Sequence, residues 1–183
     1  MENLVNVPQA SFWKGKRVLL TGHTGFKGSW LVIWLNRLGA EVIGIGLPPA
    51  TEPNLFSLAG IQSICQSHIC DIRNARELAE LIRGVDPQVV FHLAAQSLVR
   101  PSYRQPLLTF DTNIMGTAHV LDALRDLPGV RVAVMATTDK VYRNFDKHGS
   151  YREDDKLGGY DPYSASKAAS ELVIESYRDA FLA

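Results

Sequence analysis

The sequence predicts an α/β domain built on a doubly wound parallel sheet, and three observations carry that reading. Short apolar runs alternate with longer segments of helical periodicity. The runs are consecutive rather than alternating in polarity, as in strands covered on both faces. A glycine-rich loop joins the first run to the first long helix.

Each element follows from its residues. Lys16–Thr21 reads as a first strand because Val18, Leu19 and Leu20 are adjacent. Gly25–Leu38 reads as a helix, with Trp30, Ile33, Trp34 and Leu38 at three- and four-residue spacing as its apolar stripe, and Gly39 suits its C-terminal cap. Glu41–Gly46 is a second strand, Leu47–Asn54 a proline-rich loop, and a short third strand is expected near Ser67–Cys70. Asn74–Arg83 is a helix with Leu78, Leu81 and Ile82 turned inward. Gln88–Leu93 is a fourth strand, and Leu107–Leu124 contains a long helix. Val130–Ala136 is a fifth strand and Pro162–Leu182 a final long helix. Five strands and four helices therefore alternate. A complete fold of this type has a sixth strand, so residues 1–183 read as one domain cut short, without a following C-terminal domain.

Composition excludes several classes of function. The chain has 183 residues, with 19 basic and 19 acidic side chains, so it carries no net charge to attract nucleic acid or an anionic membrane. No apolar run approaches the roughly 20 residues that cross a bilayer. The first eleven residues lack the pattern of a secretion signal. Cys65 and Cys70 have no matching pair, so neither a disulfide framework nor a metal site is expected, and reduced cysteines fit a cytoplasmic setting.

The loop Thr21-Gly22-His23-Thr24-Gly25-Phe26-Lys27-Gly28 follows a buried strand and opens a helix. Gly22 suits the tight turn, Gly25 the approach of backbone to a pyrophosphate, and Gly28 the close packing of helix on strand. With the free N–H groups of the helix start, residues 22–28 form a candidate dinucleotide site in a Rossmann-like fold. The alternative is a turn without a ligand. The second strand ends in Gly44-Ile45-Gly46-Leu47-Pro48-Pro49, with no acidic residue for a ribose 2′-hydroxyl and no arginine for a 2′-phosphate. Lacking a cation, the loop favours NAD over NADP. Asp71 and Ile72, after the third strand, are candidates for the adenine ring, or a plain helix-start acid and its neighbour. His23 shapes the loop, and His92, inside a strand, reads as a core histidine.

Tyr163 and Lys167 lie four apart at a helix start, hence on one face. An ammonium near a phenol favours the phenolate, which makes the tyrosine a candidate base; an exposed helical pair is the bland alternative. Thr138, Asp139 and Lys140 follow the fifth strand, at the edge where open α/β sheets bind ligands. Thr138 can bond a substrate hydroxyl. Asp139 and Lys140 supply an acid/base pair beyond what simple alcohol oxidation needs. Gln96, Ser97 and Arg100, after the fourth strand, offer polar groups to a sugar. Asn113, early in the long helix, is a further candidate for substrate binding; it orients a water, braces the site or packs the helix.

The T-G-x-x-G-x-x-G loop, the Phe91-His92-Leu93-Ala94-Ala95-Gln96 strand exit and the Tyr163/Lys167 pair resemble the extended short-chain dehydrogenase/reductase family over almost the whole chain. Within it, Phe12–Val18 running into the glycine loop, the Pro48–Phe56 loop and Ala136–Tyr142 resemble nucleotide-sugar 4,6-dehydratases. Thr-Asp-Lys at Thr138–Lys140 resembles the branch acting on CDP-glucose, where other branches have Thr-Asp-Glu. The resemblance implies bound NAD, with Leu93, Ala94, Ala95, Tyr163 and Lys167 beside it. It implies conversion of CDP-glucose to its 4-keto-6-deoxy form, for deoxysugar and lipopolysaccharide O-antigen synthesis. Tyr163 would take the C4 hydroxyl proton, Lys140 the C5 proton, and Asp139 would protonate the leaving C6 hydroxyl. The resemblance also implies a homodimer through the two long helices. A 4-epimerase, a dehydratase of another nucleotide sugar, and a cofactor-binding fragment without catalysis are the competing readings.

Overall fold

The computed structural model describes residues 9–143 and 150–182; residues 1–8, part of the stretch read for a leader, lie outside them. In chain order the elements are α1 (Ala10–Trp13), β1 (Arg17–Thr21), α2 (Phe26–Arg37), β2 (Glu41–Gly46), α3 (Leu55–Leu58), β3 (Gln66–Ile69), α4 (Ala75–Val85), β4 (Val89–His92), α5 (Val99–Arg104), α6 (Pro106–Phe110), α7 (Gly116–Leu124), β5 (Val132–Met135) and α8 (Pro162–Tyr177). The five strands form one sheet in the order β3-β2-β1-β4-β5. The pairings of β1 with β2, β1 with β4 and β2 with β3 are parallel, in the Rossmann-like topology expected.

The described chain divides into two compact units. The first comprises the residues up to Asp71 with Gly84–Leu93 and Pro128–Val134. Its core joins Val18 and Leu20 of β1, Val42 of β2 and Val89 of β4 to Val32 and Leu35 of α2, with Trp13, Phe56 and Phe91 packed around them. Val18, Leu19 and Leu20 are all fully buried, as their adjacency predicts. Gly39 ends α2 at φ +85°, a left-handed position that favours glycine.

The inward face of α2 differs from the expected stripe. Gly28, Ser29, Val32 and Leu35 are buried, whereas Trp30 and Trp34 are exposed. The cause is steric: a Cβ on Gly28 would stand 2.1 Å from the Gly22 carbonyl oxygen, so only the helix face carrying small residues can meet the loop. Ser29 on the same face donates its hydroxyl to the His23 carbonyl at 3.0 Å. β5 also departs from expectation. As the outer strand of the sheet it leaves Val132 and Val134 47% and 43% exposed.

The second unit comprises Ile72–Arg83, Ala94–Leu127 and the chain from Met135 onward. Its centre is α8 against α6 and α7. The long helix expected within Leu107–Leu124 is interrupted by a π-helical turn at Asp111–Met115. That wider turn frees the Asn113 carbonyl, which accepts the Thr117 hydroxyl at 2.7 Å and the Ser170 hydroxyl at 2.8 Å. Gly116 follows where a Cβ would meet the Ile72 side chain at 2.5 Å. The final helix keeps α-helical bonding to Tyr177 and continues as a π turn over Arg178–Leu182. Helices α1 and α3 have four residues each, too short to show periodicity. In α5, Pro101 stands within the first turn, where its missing N–H costs nothing.

Candidate active site

In the first unit the glycine loop is built as its residues require. Gly22 takes φ +79° and donates its N–H to the Ile45 carbonyl at 2.7 Å, tying the turn to β2. Gly25 is the N-terminal cap of α2, extended at φ −76° and ψ 167°, so the helix opens without a capping side chain. Its first N–H groups therefore face the loop, as an anion site needs. Phe26 is 72% exposed, and with Lys27 it lines an outer apolar groove along α2 of about 470 Å³. The Phe26 side chain is thus directed to that groove, so at these two positions it is the backbone that faces the loop.

His23 is fully buried, and β2 is shaped around it. A Cβ on Gly44 would lie 2.3 Å from the His23 ring, so the ring fills the space that this glycine leaves. Nε2 pairs with the Ser67 hydroxyl at 2.7 Å, and Phe56 meets the ring edge-on at 5.5 Å. Nδ1 is buried without a hydrogen-bond partner among the described residues. Burial lowers the imidazole's proton affinity, against the opposing Ile45 carbonyl, which keeps it neutral near pH 7. Thr24 closes the loop by donating its hydroxyl to the Leu47 carbonyl at 2.7 Å. Gly44 and Ser67 have no signature as loop supports in the sequence; the glycine alternation of Glu41–Gly46 is the available signal.

His92 is a core residue, as expected, its Nδ1 2.7 Å from the Thr21 hydroxyl. Leu93, of the first unit, donates its N–H to the Thr21 carbonyl at 3.1 Å, and half-buried Ala94 and Ala95 follow it in the second. Asp71, also of the first unit, is half-buried, whereas Ile72, in the second, is 4% exposed behind Gly116.

In the second unit, Lys167 is 4% exposed and donates from Nζ to the Ala136 carbonyl at 2.8 Å. Burial pushes its ammonium below the usual lysine range, and the Glu171 carboxylate opposes the shift. Glu171 is held in turn by the Thr137 hydroxyl. Tyr163, one turn earlier on α8, is half-buried, and its N–H donates to Ser102 Oγ at 3.2 Å. Asp161 caps α8 by accepting the Ser164 N–H at 3.0 Å and its hydroxyl at 2.6 Å. Burial alone would raise the Asp161 carboxyl; the Ser164 bonds outweigh it and hold the group below its ordinary range.

Thr138, Asp139 and Lys140 enter a 3₁₀ turn at Asp139–Val141. The Thr138 hydroxyl donates to Asp139 at 3.1 Å, and Lys140 Nζ lies 3.4 Å from the same oxygen. Thr138 first, and Lys140 after it, hold the Asp139 carboxyl below its ordinary range. Both Asp139 and Lys140 are exposed. They line a cleft of about 710 Å³ shared with Tyr142, Tyr151, Tyr160 and Asp161.

The candidate sugar contacts separate into two groups. Ser97 and Arg100 are exposed. Gln96 is engaged by protein: Nε2 donates to the Leu98 carbonyl at 3.1 Å and to Thr109 Oγ1 at 3.0 Å, while Oε1 accepts the Leu98 N–H. Asn113 is 1% exposed; Oδ1 accepts the Gln96 N–H at 2.8 Å, and Nδ2 donates to the Gln96 carbonyl at 3.0 Å and Ser166 Oγ at 2.8 Å. Of its alternatives the structure thus favours bracing: direct substrate contact is corrected, because burial and three protein bonds occupy the amide. Among the described residues no three His, Cys, Asp or Glu side chains group as a metal site, and no helix is long and apolar enough to cross a membrane.

Comparison with known proteins adds three findings. The family model for GDP-mannose 4,6 dehydratase matches residues 19–182. CDP-glucose 4,6-dehydratase of Salmonella typhimurium strain LT2 is 47% identical over 171 residues, which is 93% of this chain and 48% of that protein. Two solved structures superimpose closely. DesIV, a dTDP-glucose 4,6-dehydratase from Streptomyces venezuelae with NAD and TYD bound, has a TM-score of 0.77 at 33% identity, over 90% of this chain and 52% of its own. UDP-glucose 4-epimerase of Thermus thermophilus in complex with NAD has a TM-score of 0.79 at 30% identity, over 90% and 51%. The chain spans about half the length of the relatives it matches.

Proposed function

The chain belongs to the GDP-mannose 4,6 dehydratase family, and we propose that it is the NAD-binding portion of a nucleotide-sugar 4,6-dehydratase acting on CDP-glucose. One observation carries the reaction type: Asp139 and Lys140, paired at 3.4 Å, stand exposed in a cleft of the unit that also carries Tyr163 and Lys167. Oxidation of an alcohol needs only the tyrosine and lysine; an additional acid/base pair is what elimination of water requires. The 47% identity to a CDP-glucose enzyme and the Thr-Asp-Lys sequence support the substrate.

The cofactor fits the residues present. Gly22 takes a left-handed φ of +79°, a Cβ on Gly28 would collide with the Gly22 carbonyl, and Gly46-Leu47-Pro48 offers no cation to a 2′-phosphate. Residues 22–28 would hold the pyrophosphate, Asp71 and Ile72 the adenosine, and Leu93, Ala94, Ala95, Tyr163 and Lys167 the nicotinamide half. When bound, NAD supplies a hydride acceptor that the full reaction restores. Tyr163 removes the C4 hydroxyl proton, and Thr138 bonds that oxygen. The resulting 4-ketone acidifies the C5 proton, which Lys140 or a water it orients removes. Asp139 delivers a proton to the departing C6 hydroxyl, so one water leaves. Since Thr138 and Lys140 hold Asp139 ionised at neutral pH, it must collect that proton within the cycle, and Lys140 is the adjacent source. Ser97 and Arg100 are assigned to the nucleotide sugar. The exposed Leu107, Met115 and Leu172 support pairing of two copies through these helices, and Cys65 and Cys70, which form no disulfide, fit a cytoplasmic setting within deoxysugar and lipopolysaccharide O-antigen synthesis.

Single-turnover measurement on the full-length protein tests the roles. Asp139→Asn is expected to keep the rapid rise of reduced-cofactor absorbance with CDP-glucose while product falls about 10²- to 10⁴-fold. An equal fall in both signals would remove Asp139 from the elimination step.

A further inference from the structure

The cleft that holds Asp139 and Lys140 contains an aromatic side chain that the reaction as derived leaves unused. Tyr160 is 100% exposed. A single exposed aromatic is ordinary on a protein surface. What separates Tyr160 is how firmly its backbone is held while its ring touches nothing. Gly158 donates its N–H to the Val141 carbonyl at 2.8 Å and takes φ +145°. Gly159 lies so close to α8 that a Cβ would stand 2.1 Å from the Ser164 carbonyl carbon. Asp161, the next residue after Tyr160, is locked onto Ser164 by two hydrogen bonds. Tyr142 is bridged to Leu157 and stacked on Tyr151 at 5.2 Å and 12°. The segment therefore fixes the backbone from which the ring reaches the cleft, so that binding has only the two side-chain torsions of Tyr160 to order.

The charge around the cleft selects what that ring meets. Partial burial raises the Tyr142 phenol, and Glu153, Glu171, Asp155 and Asp154 raise it further, so this wall is electronegative. Asp139 and Asp161 line the same space with Lys140 and Arg143, so the lining itself is balanced in charge, and the Lys140 ammonium is paired with Asp139. With the four carboxylates around Tyr142 added, the cleft disfavours a diphosphate, whereas the neutral C–H face of a pyranose suits an aromatic platform flanked by polar groups. We propose that Tyr160 is a substrate-contact residue whose ring supports the hexose of the nucleotide sugar beside Asp139 and Lys140. The proposal rests on the dehydratase reading for the identity of the hexose.

The test uses the full-length protein with NAD and CDP-glucose. Tyr160→Ala is expected to raise KM about tenfold, the scale of one lost aromatic contact, and to alter kcat by less than about threefold. Tyr160→Phe keeps the ring and stays near wild type. Saturation-transfer NMR on the same proteins is expected to mark the pyranose protons in wild type and Phe variant, and to lose them selectively in Tyr160→Ala while cytidine protons remain. Unchanged KM and unchanged pyranose saturation in Tyr160→Ala overturn the proposal, as does a loss in Tyr160→Phe equal to that in Ala. A lowered melting temperature with unchanged KM also overturns it. Should wild type bind CDP-glucose yet release no 4-keto product, the dehydratase reading fails, and the pyranose difference between wild type and Tyr160→Ala still decides the contact. A wild type that binds no nucleotide hexose removes both.

Discussion

Gly28 and His23 show how single positions hold the cofactor loop. A methyl at Gly28 would stand 2.1 Å from the Gly22 carbonyl oxygen and 2.8 Å from the His23 Cα, so the backbone must yield. Gly28→Ala is accordingly expected to cost about 1–3 kcal/mol of stability and to weaken NAD binding, by denaturation and titration calorimetry. His23 makes stability depend on acid. Its folded-state proton affinity is lowered by burial, so the unfolded chain binds the proton more readily. The His23 contribution is therefore full above the ordinary histidine range and is lost as pH falls from about 6.5 toward the folded-state value. The urea midpoint of the wild type is expected to drop between neutral pH and pH 5 more steeply than that of His23→Gln; equal slopes would remove His23 as the cause. At this scale the sequence is informative where chemistry is local: glycine spacing, and the four-residue interval of Tyr163 and Lys167. It is silent where a partner comes from afar, since nothing near His23 names Ser67, and nothing near Lys167 names the Ala136 carbonyl.

The element that joins structure to chemistry is the π turn at Asp111–Met115. Its extra residue places the Asn113 side chain on both backbone groups of Gln96 and on Ser166 of α8, and frees a carbonyl that Thr117 and Ser170 satisfy. One side chain thus ties the Gln96 backbone to the helix carrying Tyr163. Asn113→Ala leaves the Gln96 backbone and Ser166 partly unsatisfied inside a closed site, and is expected to cost about 2–3 kcal/mol. The same variant should lower kcat more than it raises KM, in thermal melts and steady-state kinetics. The long helix is legible as one apolar period, but the bulge is not, because a π turn has no propensity signature and arises from packing. The buried face of α2 departs from its sequence pattern for a related reason. Periodicity weights bulk, so Trp30 and Trp34 dominate the pattern, whereas the approach of helix to loop is set by the small residues Gly28 and Ser29.

At the scale of the molecule, the candidate site segments each follow a strand of the β3-β2-β1-β4-β5 sheet: the glycine loop after β1, Gln96 after β4, and Thr138–Lys140 after β5. That much is readable from sequence, because alternation of apolar runs and helices dictates a parallel sheet and a parallel sheet exposes its strand ends to ligand. The division of the chain into two compact units is not readable, since it depends on which connections return to the sheet. Because the chain spans about half of its relatives, the proposed activity is that of the full-length protein. The central claim is that one site oxidises C4, eliminates water across C5 and C6, and returns the same hydrogen to the sugar. Turnover of CDP-glucose carrying deuterium at C4, with the product read by NMR, tests this most directly. The account predicts a 4-keto-6-deoxy product with the deuterium at C6; deuterium retained at C4 in an epimerised hexose, or lost to solvent, would contradict it.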